Sequence, residues 1–124
     1  MGGEKGSSKM LGGASQGRQL SIYVPSKDKD GEPVDHAHWK KTTMAFMTRV
    51  FGRCTAMPQL QGIWADEDGT TLDETVNIVF SYVDKEELSI HAEEVRSFLI
   101  ELGTATQQAE VGYEYDGEFF TIQM

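Results

Sequence analysis

Alternating apolar residues mark the first three strands of this chain. The segment QLSIYVP, residues 19–25, has an apolar residue at every second position and ends in a proline. Residues 74–83, ETVNIVFSYV, alternate in the same way and are also partly apolar on the second face, which favours a central strand. A further strand is predicted within residues 55–65, where Pro58 favours an edge position or a bulge.

Two segments have apolar residues three and four positions apart, which is the spacing of amphipathic helices. The first helix is predicted to begin near Asp35 and to end at Gly52. The second has Asp84 as its N-cap and Glu87 at the capping-box position. Gly103 follows the last apolar residue of the second helix, so it is predicted to be the C-cap.

The segment 111–122 is predicted to be a β-hairpin. Asp116-Gly117 suits a two-residue turn whose backbone twist matches that of the paired strands. The resulting register pairs apolar residues across one face of the hairpin, namely Tyr113 with Phe120 and Val111 with Ile122.

The order of these elements predicts a single α+β domain over residues 19–124. The order β-α-β-β-α-β, with an additional C-terminal hairpin strand, is typical of a ferredoxin-like fold, an antiparallel sheet with two helices on one face. A domain of this length can bury a hydrophobic core without disulfides or metals. Residues 1–18 contain six glycines and three serines, so we expect them to form a flexible tail.

The charge balance indicates which classes of binding partner are expected. The formal net charge is -9, and residues 54–124 contain fifteen acidic residues against two basic ones. This balance argues against a nucleic-acid partner, which requires clustered Lys and Arg. A single cysteine, Cys54, excludes an intrachain disulfide and fits a reducing cytoplasm. With no apolar run of membrane-spanning length and no phosphate-binding glycine motif, we expect a cytoplasmic protein without a membrane partner or a cofactor.

Several short motifs follow one another along residues 19–122. They are IYVP at 22–25, the helix residue Trp39, FGRCT at 51–55, GIW at 62–64 and ETVNIV at 74–79. This set resembles that of small bacterial α+β proteins with no established activity. Arg53 stands where that pattern has a second glycine. The resemblance implies the fold and no particular chemistry.

Two acidic loops and three histidines supply the candidate metal ligands. The loops DKDG (28–31) and DEDG (66–69) have aspartates at EF-hand spacing but lack the glutamate that completes such a site, so Asp-Gly turns are predicted instead. Histidines two positions apart on a helix point to different sides and do not chelate unless the segment is extended. The open alternative is a metal-dependent hydrolase or nuclease that uses Asp35, His36, His38 and His91.

The remaining features favour a binding module over an enzyme. The sheet face without helices would expose Tyr23, Val79 and Val83, and exposed apolar residues on a sheet often form an interface. Glu94 and Glu101 lie on an acidic helix that could contact a basic partner. We therefore hypothesise a small acidic binding or regulatory module that contacts a protein partner or a second copy of itself, for example in a symmetric dimer. An acidic inhibitor or antitoxin of a basic partner is a further alternative.

Overall fold

A computed structural model describes residues 10–65 and 67–124. Its elements are β1 (Arg18–Val24), α1 (His36–Phe51), β2 (Thr55–Ala56), β3 (Leu60–Ala65), β4 (Thr71–Val83), α2 (Lys85–Ala105), β5 (Glu110–Tyr115) and β6 (Glu118–Gln123). The strand predicted within 55–65 is therefore two short strands. The flexible tail predicted for residues 1–18 lies in part outside the described residues, and β1 already begins at Arg18.

The six strands form one antiparallel sheet in the order β2-β4-β1-β5-β6, with β3 also paired to β4. The first part of β4 pairs with β3, and its second part lies between β1 and β2. The predicted α+β class, with an antiparallel sheet and two helices, is confirmed. The hairpin register is also confirmed, because Tyr113 lies opposite Phe120 and Val111 lies opposite Ile122. In the turn, Asp116 and Gly117 both have positive φ, as a type I′ turn requires.

The helix ends follow the sequence signals at three of four positions. The Asp35 side chain accepts a hydrogen bond from the His38 backbone N–H, and Gly52 is left-handed with a φ of 86°. The Asp84 side chain accepts from the Glu87 backbone N–H. The prediction that Gly103 is a C-cap is wrong, because α2 continues to Ala105 and is capped by Thr106. Neither helix has the length and apolar character needed to cross a membrane, as judged over the described residues.

Both helices pack on one face of the sheet and form the core there. Buried side chains of β1, β4, α1 and α2 contribute to one cluster, among them Leu20, Ile22, Val24, Met47, Val79, Val83, Leu99 and Leu102. The expectation that Val79 and Val83 are exposed is wrong, because both side chains are 0% exposed. The physical reason is that β4 is apolar on both faces, so its pattern did not reveal which face the helices cover. A charged residue at Val79 would disrupt this core and would not report on an interface.

Gly17 allows the chain to pass close to the start of α2. Its φ is +112°, and a Cβ atom there would lie 2.5 Å from the Asp84 backbone nitrogen. We expect Gly17→Ala to lower the free energy of unfolding by about 1–3 kcal/mol, because it adds both backbone strain and a clash with the main chain. Urea denaturation measures this loss.

Gly12→Ala is the matched control for Gly17→Ala. Gly12 also has a positive φ, of +75°, but a Cβ there has no neighbour within 4 Å. Equal stabilities of the two variants would show that the close approach at Gly17 contributes nothing.

Candidate ligand-binding cleft

A cleft of about 270 Å³ lies on the sheet face that the helices leave uncovered. It is formed by the end of β1, the following loop, the starts of β4 and β5, and β6. Its lining residues are Tyr23, Pro25, Asp28, Lys29, Ala65, Glu74, Val76, Gln108, Ala109, Glu110, Val111, Gly112, Phe119 and Thr121. The volume lies just below the roughly 300–1,000 Å³ of typical small-molecule sites. The cleft is therefore at the small end of the sites that hold small-molecule ligands.

An aromatic pair forms one side of the cleft. The rings of Tyr23 and Phe119 meet edge to face, with centroids 5.2 Å apart. Gly112 makes room for this pair, because a Cβ there would lie 2.7 Å from the Phe119 Cζ atom. Phe119 is 49% exposed, so its ring remains accessible to a ligand. Burial, followed by the neighbouring Glu114 carboxylate, raises the pKa of Tyr23 above its usual value, so its phenol stays neutral at physiological pH.

A nearly buried carboxylate connects β4 to the loop after β1. Glu74 is 7% exposed, and its Oε2 atom accepts hydrogen bonds from the backbone N–H groups of Ser26 (2.9 Å) and Lys27 (3.0 Å). Charge-assisted bonds of this kind are stronger than neutral ones. Glu74 therefore fixes the position of the loop and places a carboxylate in the cleft.

The loop 26–34 is held by its own side chains and by the segment after α2. Asp28 Oδ1 accepts from the backbone N–H groups of Asp30 (2.8 Å) and Glu32 (2.9 Å), which confirms the predicted Asp-Gly turn. The Lys29 N–H donates to the Gln107 carbonyl oxygen. Gln108 Nε2 donates to the Lys27 carbonyl oxygen at 2.8 Å. These bonds make the loop a fixed side of the cleft.

The second acidic loop, near residue 68, is also a turn. Asp68 Oδ1 accepts from both the backbone N–H (3.0 Å) and the hydroxyl (2.7 Å) of Thr70. These two hydrogen bonds lower the pKa of Asp68. Asp66 lies outside the described residues.

The four predicted metal ligands have other partners. His36 Nδ1 lies 2.8 Å from the Pro25 carbonyl oxygen, and its Nε2 atom hydrogen-bonds with Asn77 Oδ1. Asp35 caps α1, and the His38 ring contacts the Trp39 ring edge to face. Over residues 10–65 and 67–124, no three His, Cys, Asp or Glu side chains are grouped closely enough to hold a metal ion. His36 instead links Pro25, the residue before the loop 26–34, to Asn77 in the middle of β4.

His91 and Glu94 belong to an ion-pair network on the outer surface of the helices. His91 Nδ1 lies 2.9 Å from Glu94 Oε1, and Arg49 lies 3.3 Å from Glu94 Oε2. Hydrogen bonds from His91 and then Arg49 lower the pKa of Glu94. Glu94 and Glu101 border a shallow depression between α1 and α2. Of the five predicted interface residues, only Tyr23 lines the cleft on the uncovered sheet face.

Most of this cleft could not be recognised in the sequence. Glu74, Gln108, Gly112 and Phe119 come from three separate parts of the chain, and only the fold brings them together. The one available signal was Glu74, which lies at the beginning of a strongly apolar strand. A carboxylate in a buried strand needs hydrogen-bond partners, so its position indicates a polar site.

No family model and no curated protein matches this chain. Among solved structures, a phage SAM lyase in complex with S-methyl-5′-thioadenosine is similar, with a TM-score of 0.64 and 17% sequence identity. The match covers 94% of this chain and 97% of that chain. A phage SAM lyase in the apo state matches with a TM-score of 0.62 and 16% identity, over 87% of this chain and 90% of that one. At these identities the likeness shows a shared fold.

Proposed function

We propose that this protein binds S-adenosylmethionine in the cleft and cleaves it to S-methyl-5′-thioadenosine. The observation that carries the proposal is the cleft, which combines an accessible aromatic ring with carboxylates. It lies in a chain that shares its fold, over nearly the full length of both proteins, with a SAM lyase bound to S-methyl-5′-thioadenosine. Fold likeness alone leaves the activity open, so the chemistry of the cleft has to support it.

The lining residues suit the two ends of S-adenosylmethionine. The purine has a flat π face, and stacking of a base on an aromatic side chain contributes about 1–3 kcal/mol. We assign this role to Phe119, whose ring is accessible. The other end of the ligand has a sulfonium and an ammonium group. The carboxylates of Glu74 and Glu110 in the same cleft provide opposite charges for these cations.

The reaction we propose uses a nucleophile that the ligand itself contains. An oxygen of the α-carboxylate attacks Cγ of the aminobutyrate chain and forms a new C–O bond. The bond between Cγ and sulfur breaks, and its electron pair returns to sulfur, which leaves as a neutral thioether. The products are S-methyl-5′-thioadenosine and a five-membered lactone that keeps the ammonium group. The step requires no water and no proton transfer.

The protein would accelerate this step mainly by holding the flexible chain of the ligand in a folded conformation. In the folded conformer, an oxygen of the α-carboxylate lies in line with the bond between Cγ and sulfur. This conformer is rare in the free ligand, and binding makes it the main one. The positive sulfur and the negative carboxylate both lose their charge in the transition state. We assign the reacting atoms to the part of the cleft that Val76 and Pro25 line, because apolar groups there favour the transition state over the charged ground state.

Turnover of S-adenosylmethionine tests the proposal directly. Chromatography should show S-methyl-5′-thioadenosine released by the purified protein in a time- and enzyme-dependent way. We expect Phe119→Ala to raise KM about tenfold or more, because the base loses its stacking partner. Absence of release, together with absence of S-adenosylmethionine binding in calorimetry, would refute the proposed function.

Phe120→Ala is the matched control. Phe120 is the next residue on β6 and is 38% exposed, but its ring stacks on Tyr113 on the helix-covered face. Its loss should affect stability and leave KM unchanged. An equal rise in KM for both variants would mean that Phe119 has no specific contact with the ligand.

We also propose self-association as a second candidate function. It is supported by exposed apolar residues on β3, where Leu60 is 41% and Ile63 is 64% exposed. A second copy of the chain that packs on the face of β3 that Ile63 occupies would remove this side chain from water. Val79 and Val83 do not contribute to this interface, because the helices cover them.

Two finer assignments are part of this proposal. We infer that the sheet is of the ferredoxin-like type, which is supported by the central position of β1 between β4 and β5. We infer a cytoplasmic location, which is supported by the single unpaired cysteine, Cys54.

A further inference from the structure

We propose that the cleft selects its ligands by positive charge, so that a sulfonium nucleoside without a carboxylate binds more tightly than a nucleoside thioether that keeps one. The inference rests on the proposed function for the location of the ligand. It adds a specificity rule, and it identifies decarboxylated S-adenosylmethionine as an inhibitor that the protein does not cleave.

The charged groups of the cleft carry this inference. Among its described lining residues, three are acidic (Asp28, Glu74 and Glu110) and one, Lys29, is basic. Two of the carboxylates are fixed, since Asp28 and Glu74 each accept two backbone N–H bonds. Glu110 Oε1 accepts from Gln123 Nε2 at 2.7 Å, which restricts the third. A fixed carboxylate attracts a cation without losing further conformational entropy when the ligand binds.

The aromatic side of the cleft also favours cationic ligands. The phenol of Tyr23 stays neutral, because burial and the Glu114 carboxylate raise its pKa. The face of the Tyr23 ring has the negative quadrupole that attracts a cation. No guanidinium group lines the described part of the cleft, so the planar, two-bond recognition of a ligand carboxylate by arginine is absent there.

These features predict how tightly a series of related ligands binds, according to the charge of each ligand. At neutral pH decarboxylated S-adenosylmethionine carries two positive charges and no negative one. S-adenosylmethionine has the same two cations and one carboxylate, which the acidic cleft repels. S-adenosylhomocysteine lacks the sulfonium charge, and adenosine monophosphate is an anion. The decarboxylated compound also lacks the oxygen that attacks Cγ, so it should occupy the cleft without being cleaved.

Calorimetry with decarboxylated S-adenosylmethionine, S-adenosylhomocysteine and adenosine monophosphate tests this order. We expect the decarboxylated compound to bind about tenfold or more tightly than S-adenosylhomocysteine, and we expect that difference to shrink in about 0.3 M salt. Glu110→Gln should weaken binding of the decarboxylated compound about fivefold or more and change binding of S-methyl-5′-thioadenosine little. Glu118→Gln removes a charge from β6 outside the cleft, so it is the matched control and should change neither affinity.

The outcomes separate this inference from the proposed function. If S-adenosylmethionine is cleaved but the decarboxylated compound binds no better than S-adenosylhomocysteine, charge selection is wrong and the proposed function remains. If the decarboxylated compound binds in a salt-dependent way but S-adenosylmethionine is not cleaved, charge selection stands and the proposed reaction is wrong. Binding of neither compound overturns both.

Discussion

Gly103→Leu is expected to destabilise the protein by about 3 kcal/mol or more, the largest stability effect that we predict for one residue outside the cleft. Gly103 is buried inside α2, and a Cβ atom there would lie 2.4 Å from Val111 Cγ2 and 2.8 Å from Met124 Sδ. The methionine side chain can move, but Val111 is 3% exposed and part of the core cluster. Leucine is a good helix former, so the loss reports the packing of α2 against β5 and not helix propensity.

Thr104→Leu is the matched control for Gly103→Leu, because Thr104 is the next residue of the same helix and is exposed. It should change the free energy of unfolding by no more than about 0.5 kcal/mol in a urea titration. A second comparison uses Gly103→Ala alone and together with Val111→Ala. The double variant should lose less stability than the two single losses added, because the alanine methyl enters space that the valine leaves. Strict additivity would show that Gly103 does not contact Val111 in solution.

Glu74→Ala is expected to have the largest effect on the cleft, a loss of S-adenosylmethionine binding of about a hundredfold or more. Hydrogen bonds to a charged group contribute about 1.5–3 kcal/mol each, and this substitution removes the acceptor of two backbone N–H groups. The loop 26–34 would lose two of its hydrogen bonds to β4 and keep those that Lys27 Nζ and Ser26 Oγ make with Asp73 and Thr75. One side of the cleft would then be held less firmly, and the cleft would lose one of its carboxylates.

Glu74→Gln separates these two roles. The amide keeps an oxygen that accepts from Ser26 or Lys27, so most of the stability in urea should return. The negative charge does not return, so the KM for S-adenosylmethionine should stay about tenfold or more above that of the unaltered protein. Asp73→Asn is the control, because Asp73 is exposed and its backbone carbonyl, not its side chain, accepts from Lys27 Nζ. If Glu74→Gln restores KM fully, the carboxylate acts on the loop alone and does not contact the ligand.

The sequence predicted the helices and the hairpin well because their ends are encoded by local chemistry. Asp35 and Asp84 cap helices by accepting backbone N–H bonds, and Gly52 adopts a left-handed conformation that other residues avoid. The prediction that Gly103 is a C-cap was wrong, because a glycine can be needed for its small volume as well as for its backbone freedom. Its neighbours are Val111 on β5 and Met124 after β6, which follow it in the chain, so no local pattern contains them.

The face of β4 and the position of the cleft could not be predicted for a related reason. Apolar residues occupy both faces of β4, where Val79 is 0% and Ile78 is 8% exposed, so the alternation gave no preference for either face. The cleft combines Tyr23, Glu74, Gln108 and Phe119, whose separation in sequence hides their proximity. Tyr23 and Glu74 belong to the motifs IYVP and ETVNIV, which imply the fold and no particular chemistry. These four residues form one site only in the folded sheet, where β1 lies between β4 and β5.

The central position of β1 also determines when the cleft can form during synthesis of the chain. β1 emerges from the ribosome first among the strands, but both of its partners, β4 and β5, follow much later in the sequence. Pairings between distant segments form slowly, because a long loop has to close before any contact is gained. Phe119 lies on β6, which follows the other five described strands along the chain. A nascent chain can therefore build its helices early, but it gains a complete cleft only after β6 has left the ribosome.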